Sequence, residues 1–159
     1  MICTFLVGGG MVSGLFESTP IASRVRGVTL WRLPEVQDTR GALSFCEIGR
    51  YLPFSVERYF LVFQVAGEAS RGAHAHRTLH QFLTCVHGSC HVAVDDGETR
   101  QEFVLDSPSL GLHLPPMIWG TQYRYSPGAV LLVLASDPYD EADYIRDYAE
   151  FRELAHALR

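Results

Sequence analysis

The sequence predicts an all-β domain, a sandwich or a barrel, that ends in one short α-helix. From residue 28 onward, short apolar runs are interrupted by turn residues about every eight to twelve positions, the spacing typical of sandwiches and barrels. After Glu141 the apolar residues instead recur every three to four positions with charges between them, as on an amphipathic helix. With 159 residues, 47% of them hydrophobic and 19% charged, the chain has the composition of one globular domain with a substantial core.

The predicted strands of the first half are separated by turn residues. They cover residues 28–33, 42–48, 56–65 and the segment around 71–76. Pro34 closes the first of them, and the turn Asp38-Thr39-Arg40-Gly41 precedes the second, since Asp and Gly favour turns. The third is the richest in aromatic and β-branched residues, which pack well on a pleated surface.

The second half continues this pattern. Residues 81–86 and 90–94 are predicted to pair as a hairpin, and Asp96-Gly97 predicts another because that dipeptide tolerates the positive φ of a tight turn. Further strands are predicted over 99–105, 110–114, 119–125 and 129–135. The last of these is a continuous apolar run, which indicates burial on both faces, and the helix is predicted from Glu141 onward.

Charge and composition exclude several classes of protein. The formal net charge of −5 argues against a nonspecific nucleic-acid binder, which needs a basic surface to neutralise phosphates. We expect residues 1–27 to be an N-terminal extension and 28–159 to be the folded domain. The extension reaches Glu17 before ~20 apolar residues, so it predicts neither a signal peptide nor a membrane span. The four cysteines form no Cys-x-x-Cys pair, which favours small core residues and a reducing, cytoplasmic location.

The first candidate site is the pair His74-x-His76. On a strand these two side chains project from the same face, because the side-chain period is two. If that face lines a cavity, the two imidazoles share one small space. Taken alone, the pattern is more typical of histidines on a surface or in a hairpin, so its surroundings decide the interpretation.

Those surroundings follow the first sequence motif of the cupins. Gly72-x-His74-x-His76 is followed after four residues by Gln81 and after six more by Gly88, with glutamine in place of the usual glutamate. The segment 111–116 lies about where the second cupin motif falls. The resemblance predicts a double-stranded β-helix, or jelly roll, with a short C-terminal α-helix, whose interior-facing residues line a pocket.

The chain further resembles one cupin family, the sugar-nucleotide 3,4-ketoisomerases of the FdtA and QdtA type, including the WxcM-like domains. The similarity runs from about residue 28 to residue 151. It rests on the ordered succession of Asp38-x-Arg40-Gly41, Pro53-Phe54-x-Val56-x-Arg58, Arg71-Gly72-x-His74-Ala75-His76, Gly88-Ser89, Asp95-Asp96-Gly97, Gly111-Leu112-x-Leu114-Pro115-Pro116, Trp119, the run 129–136 and Tyr139-Asp140-Glu141-x-Asp143-Tyr144-Ile145-Arg146.

This resemblance implies an isomerase of deoxysugar and polysaccharide biosynthesis. Its substrate would be a dTDP-linked 4-keto-6-deoxy sugar, and its product the 3-keto isomer. The family works without metal or organic cofactor and forms homodimers that exchange N-terminal strands. By that implication the protein is a homodimer, and residues 1–27 are partly disordered or swapped. Together with the charge and the cysteine pattern, we expect a cytoplasmic protein without nucleic-acid or membrane partners.

Moving a ketone from C4 to C3 requires removal of the C3 proton, an enediol, and return of a proton at C4. Histidine suits this work because its ordinary pKa lies near neutrality. We expect His74 to be the principal base and His76 to act as donor, orienter or proton shuttle. The family also has a proton-relaying tyrosine at the position of Phe60, and phenylalanine cannot relay a proton.

Several groups are candidates for the missing relay. Tyr59 is adjacent to Phe60 but faces the opposite side of a strand unless a bulge intervenes. Water, His113 or Tyr123 could also take this role.

The remaining candidates bind rather than react. Arg40, Arg58 and Arg71 suit a diphosphate because guanidinium groups match phosphate oxygens, although each could instead form a structural ion pair. Gln81 could hydrogen-bond an imidazole or the sugar. Trp119 could pack against the sugar or the base, or simply belong to the core.

Two other functions stay open. A metal-dependent cupin could use His74, His76 and His80. However, the usual glutamate is absent, and no histidine follows Pro115-Pro116 at the place where the second cupin motif would supply one, which leaves few ligands. A non-catalytic sugar-nucleotide-binding cupin is favoured by Phe60.

Overall fold

The computed structural model describes residues 6–7, 10–11 and 19–158, and it is dominated by β-strands. The described elements, in chain order, are β1 (Leu6–Val7), β2 (Gly10–Met11), β3 (Thr19–Ala22), β4 (Thr29–Arg32), β5 (Glu35–Asp38), β6 (Gly41–Ser44), β7 (Arg58–Phe63), β8 (Arg71–His76), β9 (Gln81–His87), β10 (Cys90–Asp95), β11 (Arg100–Leu105), β12 (Leu110–Leu114), β13 (Trp119–Tyr123), β14 (Val130–Ala135), a 3₁₀ turn (Glu141–Asp143), β15 (Tyr144–Ile145) and α1 (Tyr148–Ala157). The prediction of an all-β class with one C-terminal helix is confirmed.

Two antiparallel sheets form the body of the fold. A six-stranded sheet has the order β3-β4-β12-β9-β14-β7, and a five-stranded sheet has the order β11-β10-β13-β8-β15. The strands β1 and β2, and likewise β5 and β6, form small separate hairpins. This is the predicted jelly roll. The rest of the predicted N-terminal extension, residues 1–5, 8–9 and 12–18, lies outside the described residues.

The main core lies between the inner faces of the two sheets. The six-stranded sheet contributes Leu83, Leu112 and Leu131, and the five-stranded sheet contributes Val92 and Val94. All five side chains are fully buried, and each such burial stabilises the fold by ~1.5–3 kcal/mol. Because side chains alternate along a strand, every second residue of β12 and β14 points to the outer face of the six-stranded sheet.

A loop covers the outer face of the six-stranded sheet. Leu52 and Phe54, which lie between β6 and β7, pack with Leu33 and Phe82 in a second cluster. Gly111 of β12 lies directly beneath the Phe82 ring, where a Cβ atom would come within 2.0 Å of the ring. Only glycine leaves room for that ring.

The C-terminal helix packs on the outer face of the five-stranded sheet. Phe151 and Ala155 of α1 are buried with Ala75 of β8. The prediction that the helix begins at Glu141 was wrong. Residues 141–143 form a 3₁₀ turn, and the following strand β15 pairs with β8. The helix α1 begins only after its N-cap residue Asp147, which has an extended backbone and whose carboxylate accepts a hydrogen bond from the amide of residue 150.

The predicted hairpin of residues 81–86 and 90–94 was also wrong. The strands follow one another, but β9 pairs with β12 and β14 whereas β10 pairs with β11 and β13. The turn at Gly88, whose φ is +69°, carries the chain from one sheet to the other. Cys85 and Cys90 stay in hydrogen-bonding contact in the core across this corner, which confirms them as small core residues.

Two further predictions needed adjustment. The strand β5 was not predicted, and it pairs with β6 around the turn that was predicted at residues 38–41. The strand β14 is buried only on its inner face and half-buried on the other, although its apolar run indicated burial on both. In the described ranges, no helix is both long and apolar enough to cross a membrane.

Candidate active site

A bulge in β8 positions the two histidines. The register between β8 and β13 slips so that Gly120 lies opposite His74 while Thr121 lies opposite Gly72. Gly72 and Ala73 both adopt positive φ, at +75° and +56°. A Cβ atom on Gly72 would lie 2.7 Å from the Gly120 carbonyl oxygen, so glycine is required here. The extended chain resumes at His74.

His74 and His76 project from the same face of β8, as predicted. Their ring centroids lie 4.9 Å apart, with the rings at 89° in an edge-to-face arrangement. Ala75 between them points to the opposite side, against α1. The two imidazoles line a cavity inside the barrel together with Leu79, Gln81, Leu114, Ile118, Gly120 and Gln122. They therefore belong to a site and not to an exposed surface.

Hydrogen bonds hold His76 at both ring nitrogens. Its Nδ1 lies 2.7 Å from Oδ2 of Asp143, and its Nε2 lies 3.3 Å from the side-chain amide nitrogen of Gln81. A carboxylate can only accept and an amide nitrogen can only donate. The network is therefore satisfied when Nδ1 carries the proton, donated to Asp143, and Nε2 accepts from Gln81.

Burial keeps both histidines neutral at pH 7. It lowers the pKa of His74 to about 4, and the neighbouring His76 contributes to this shift. Burial also lowers the pKa of His76, although the hydrogen bond and charge of Asp143 oppose the shift. For Asp143 itself, burial raises the pKa, but hydrogen bonds from Thr78 and His76 outweigh it and the net shift is downward. The site thus pairs two neutral imidazoles with one ionised carboxylate.

The segment after β14 lies against the two histidines. The Tyr144 ring centroid lies 4.9 Å from that of His74 and 4.4 Å from that of His76. The Arg146 guanidinium stacks 4.4 Å from the Tyr144 ring centroid. Asp143, Tyr144 and Arg146 were missed as site residues, although they belong to the segment 139–146 that carried the family resemblance. Interpreting that segment as helix concealed that it pairs with β8.

Arg58 and Phe60 of β7 face the barrel interior. The Arg58 guanidinium lies 5.6 Å from the Phe60 ring centroid and 5.5 Å from that of Tyr139, and its charge acts on His76. The Nε atom of Arg58 is buried, and no residue in the described ranges forms a hydrogen bond with it. Tyr59 points outward and is 69% exposed, because β7 pairs with β14 in unbroken register and no bulge turns it inward.

His113 lies on the opposite face of the six-stranded sheet. Its neighbours Leu112 and Leu114 face the core, and its ring stacks on His80 at a centroid distance of 5.3 Å, with His80 Nδ1 3.0 Å from His113 Nε2. Phe54 packs against both imidazoles. Neither His113 nor His80 thus belongs to the group formed by the β8 pair.

Trp119 and Tyr123 also face away from the cavity. They alternate on β13 with Gly120 and Gln122, which line it. Trp119 packs on Tyr148 and Phe151 of the C-terminal region, and the Tyr123 hydroxyl donates to Glu102. Tyr123, like His113, therefore lies outside the site and cannot supply the relay that Phe60 lacks.

Two of the predicted arginines lie apart from the histidine pair. Arg40 forms an ion pair with Asp38 at the tip of the β5–β6 hairpin. Arg71 stands at the start of β8, and its charge acts on Tyr125. Within the described ranges, no group of three or more His, Cys, Asp or Glu side chains is arranged to hold a metal ion.

A jelly roll whose interior carries two neutral imidazoles, one of them paired with a carboxylate, defines an acid–base site in a cupin barrel. The family model described as FdtA, "WxcM-like, C-terminal", matches residues 26–156. The chain belongs to this family, and the resemblance drawn from its motifs is confirmed.

Relatives of established activity are similar over most of the chain. A TDP-4-oxo-6-deoxy-alpha-D-glucose-3,4-oxoisomerase from Aneurinibacillus thermoaerophilus is 45% identical over 119 residues, which cover 75% of this chain and 86% of the relative. Among solved structures, the sugar 3,4-ketoisomerase QdtA from Thermoanaerobacterium thermosaccharolyticum, in complex with TDP, is 34% identical with a TM-score of 0.81 and covers 84% of this chain and 97% of its own. The TDP-quinovose 3,4-ketoisomerase WlaRB from Campylobacter jejuni is 37% identical with a TM-score of 0.77 and covers 81% of this chain and 99% of its own.

Proposed function

We propose that this protein is a TDP-4-keto-6-deoxyhexose 3,4-ketoisomerase. One observation carries the proposal: two neutral histidines share one cavity inside the barrel, and the second is held between Asp143 and Gln81. The activities of the relatives support it, since each of the three is a ketoisomerase or oxoisomerase of a sugar or sugar nucleotide.

In this reaction the ketone moves by proton transfer alone. His74, neutral at pH 7, removes the proton from C3, and the electron pair forms the C3–C4 double bond of an enediolate whose negative charge lies on the C4 oxygen. The proton of the C3 hydroxyl passes to the C4 oxygen, a proton returns to C4 as the C3 ketone forms, and His74 gives up the proton that it took. One carbon is oxidised while its neighbour is reduced, so the atoms and electrons balance within the sugar. General acid–base help of this kind contributes ~10²- to 10⁴-fold in rate.

Positive charge beside the histidines suits the substrate's diphosphate and the developing enediolate. Arg58 faces the interior and Arg146 stacks on Tyr144, and the charges of both reach His76. Guanidinium groups bind phosphate oxygens with matched geometry. We assign Arg58 and Arg146 to the substrate. Arg40 and Arg71 stay as candidates for the nucleotide end.

We further propose that the enzyme is a homodimer with exchanged N-terminal strands. The edge strand β7 presents three large apolar side chains on its outer face: Tyr59, Leu61 and Phe63 are 69%, 45% and 53% exposed. An uncovered apolar edge strand invites pairing with another chain. At the other edge of the same sheet, β3 pairs with β4, and the same pairing can form with the β4 strand of a partner.

We place the reaction in the cytoplasm. Cys85 and Cys90 are free thiols although their side chains are in hydrogen-bonding contact, and Cys46 is also free. Neighbouring thiols that stay unlinked are typical of a reducing compartment.

Proton exchange at C3 tests the proposed function. The protein is incubated with TDP-4-keto-6-deoxyglucose in deuterated water, and exchange and product are followed by NMR. We expect the wild-type protein to form the 3-keto isomer with deuterium from the solvent at C4, and His74→Asn and His76→Asn each to reduce turnover by ~10²-fold or more. TDP affinity, measured by calorimetry, should stay close to the wild-type value in both variants.

His91→Asn is the matched control, because His91 lies on the outer face of β10 and pairs with Glu102. It should keep full turnover. Wild-type turnover in both cavity variants would refute the catalytic assignment. TDP binding without any exchange would instead identify a non-catalytic sugar-nucleotide-binding cupin, the second candidate, which Phe60 favours.

A further inference from the structure

Asp143 is tied to the end of β8 at several points. Its Oδ2 accepts from His76 Nδ1, while its Oδ1 accepts from the backbone amide of Thr78 at 2.7 Å and from the Thr78 hydroxyl at 2.9 Å. Its backbone carbonyl accepts from the amide of Arg77 at 2.9 Å. Both carboxylate oxygens are therefore engaged, and the carboxylate has no freedom to turn away from the imidazole.

We infer that Asp143 is a positioning residue that fixes His76 as its Nδ1–H tautomer, so that Nε2 exchanges the hydroxyl protons of the substrate. This inference rests on the proposed ketoisomerase function and divides its chemistry between the two histidines. Within the part of the chain that the structure describes, no carboxylate pairs with His74, which handles the proton on carbon. His76 has one and handles the protons on oxygen.

In this division of roles, His76 returns every proton that it takes from the substrate. His76 Nε2 takes the proton from the C3 hydroxyl, which breaks that O–H bond, and the resulting imidazolium is stabilised by Asp143. Nε2 then returns the proton to the C4 oxygen, which forms the new O–H bond. His76 ends neutral, and Gln81 donates again to Nε2. The same arrangement of a carboxylate on one imidazole nitrogen and a reacting group on the other orients catalytic histidines generally.

The groups around His76 are consistent with reversible protonation of its Nε2 atom. The ionisable and polar neighbours are Asp143 and Tyr144 from the C-terminal segment, His74 from β8, Gln81 from β9, and the charges of Arg58 and Arg146. Within this group Asp143 carries the negative charge, and it touches Nδ1. The two arginines disfavour permanent protonation, so the imidazolium is transient.

Asp143→Asn tests the inference because it keeps the shape of the side chain and reverses the hydrogen bond. The amide oxygen can still accept from Thr78, but the amide nitrogen donates to His76 Nδ1 and moves the ring proton to Nε2. We expect kcat to fall ~10²-fold or more, with KM and TDP affinity close to wild type. The acidic limb of the pH–kcat profile should move to lower pH, because losing the carboxylate lowers the pKa of His76 further.

Thr78→Val is the matched control. It removes one hydrogen bond to the same carboxylate without touching His76, so a purely structural role predicts similar losses in the two variants. The inference predicts that kcat of Thr78→Val stays within a few-fold of wild type. Nitrogen-15 NMR of the histidine rings should show the proton on Nδ1 of His76 in the wild-type protein and on Nε2 in Asp143→Asn.

A wild-type His76 protonated at Nε2, or equal kcat losses in Asp143→Asn and Thr78→Val, would overturn the inference. The ring measurement needs no substrate. Absence of turnover in the wild-type protein would therefore refute the proposed function, while the tautomer would still decide whether Asp143 sets the proton on His76.

Discussion

The side-chain amide nitrogen of Gln81 lies 3.3 Å from Nε2 of His76, at the position where the cupin motif usually carries a glutamate. A glutamate here would put a second carboxylate on an imidazole that already faces Asp143. The glutamine instead donates to Nε2 and leaves His76 neutral. A glutamate at position 81 would thus add a negative charge beside His76, which has to release protons, whereas the glutamine adds none.

Gln81→Glu should therefore slow the enzyme at neutral pH. Two flanking carboxylates raise the pKa of His76 and hold its proton, because an opposite charge in contact typically shifts a pKa by one or more units. We expect kcat at pH 7 to fall ~10-fold or more and to recover in part as the pH rises. A pH–rate profile from neutral to alkaline pH measures this, and a profile that is unchanged from wild type would contradict it.

Phe60→Tyr should raise turnover. The Phe60 ring faces the interior beside Arg58, so a hydroxyl at its tip would enter the region of the site where the family has a proton-relaying tyrosine. We expect kcat to increase, by up to ~10²-fold if the relay limits the rate.

Tyr59→Phe is the control for that substitution, because this neighbour on the same strand is 69% exposed on the outer face. It should leave kcat unchanged. A fall in kcat for Phe60→Tyr would mean that the site transfers both protons best without a tyrosine at this position.

Leu61→Asp combined with Phe63→Asp should convert the proposed dimer into monomers. Both side chains are about half exposed on the outer face of the edge strand β7, and burying unpaired carboxylates in an interface is strongly unfavourable. Light scattering coupled to gel filtration measures the mass. Leu158→Asp, which changes an exposed leucine at the end of α1, should leave the mass unchanged, and a monomeric wild-type protein would refute the dimer.

Acid should weaken the fold through buried histidines. Burial, with help from His80, lowers the pKa of His113 to about 4 from its ordinary value of 6.5. Between pH 4 and pH 6.5, His113 therefore binds more protons in the unfolded chain than in the folded protein. Its contribution to the free energy of unfolding is complete above pH 6.5 and is lost as the pH falls towards 4. The loss is at most ~3 kcal/mol for such a shift. His74 contributes a loss of the same sign.

His113→Phe should make the stability less dependent on pH. The variant keeps an aromatic ring against Phe54 but removes the titrating group. Urea unfolding above and below the ordinary histidine pKa should show a smaller difference than in the wild-type protein. His87→Asn, at an exposed position, should not alter the wild-type difference.

The strands and the turns between them could be predicted from local patterns. The segments 110–114 and 71–76 were located closely, because alternation, β-branched residues and turn residues act over a few positions. The corner at Gly88 could not be predicted in this way. Whether two consecutive strands pair or pass to different sheets depends on partners distant in sequence, here β12, β13 and β14.

Local sequence patterns were enough to predict the fold class, and the ordered motifs were enough to indicate the family by resemblance. The shared face of His74 and His76 follows from the period of a strand. The surroundings of that pair depend on how distant strands come together in the fold. It brought Asp143 and Tyr144 across from a segment interpreted as helix, and it turned His113, Trp119 and Tyr123 to outer faces. The physical reason is that the side of a sheet that becomes interior is set by how the two sheets close around the core, which no local pattern records.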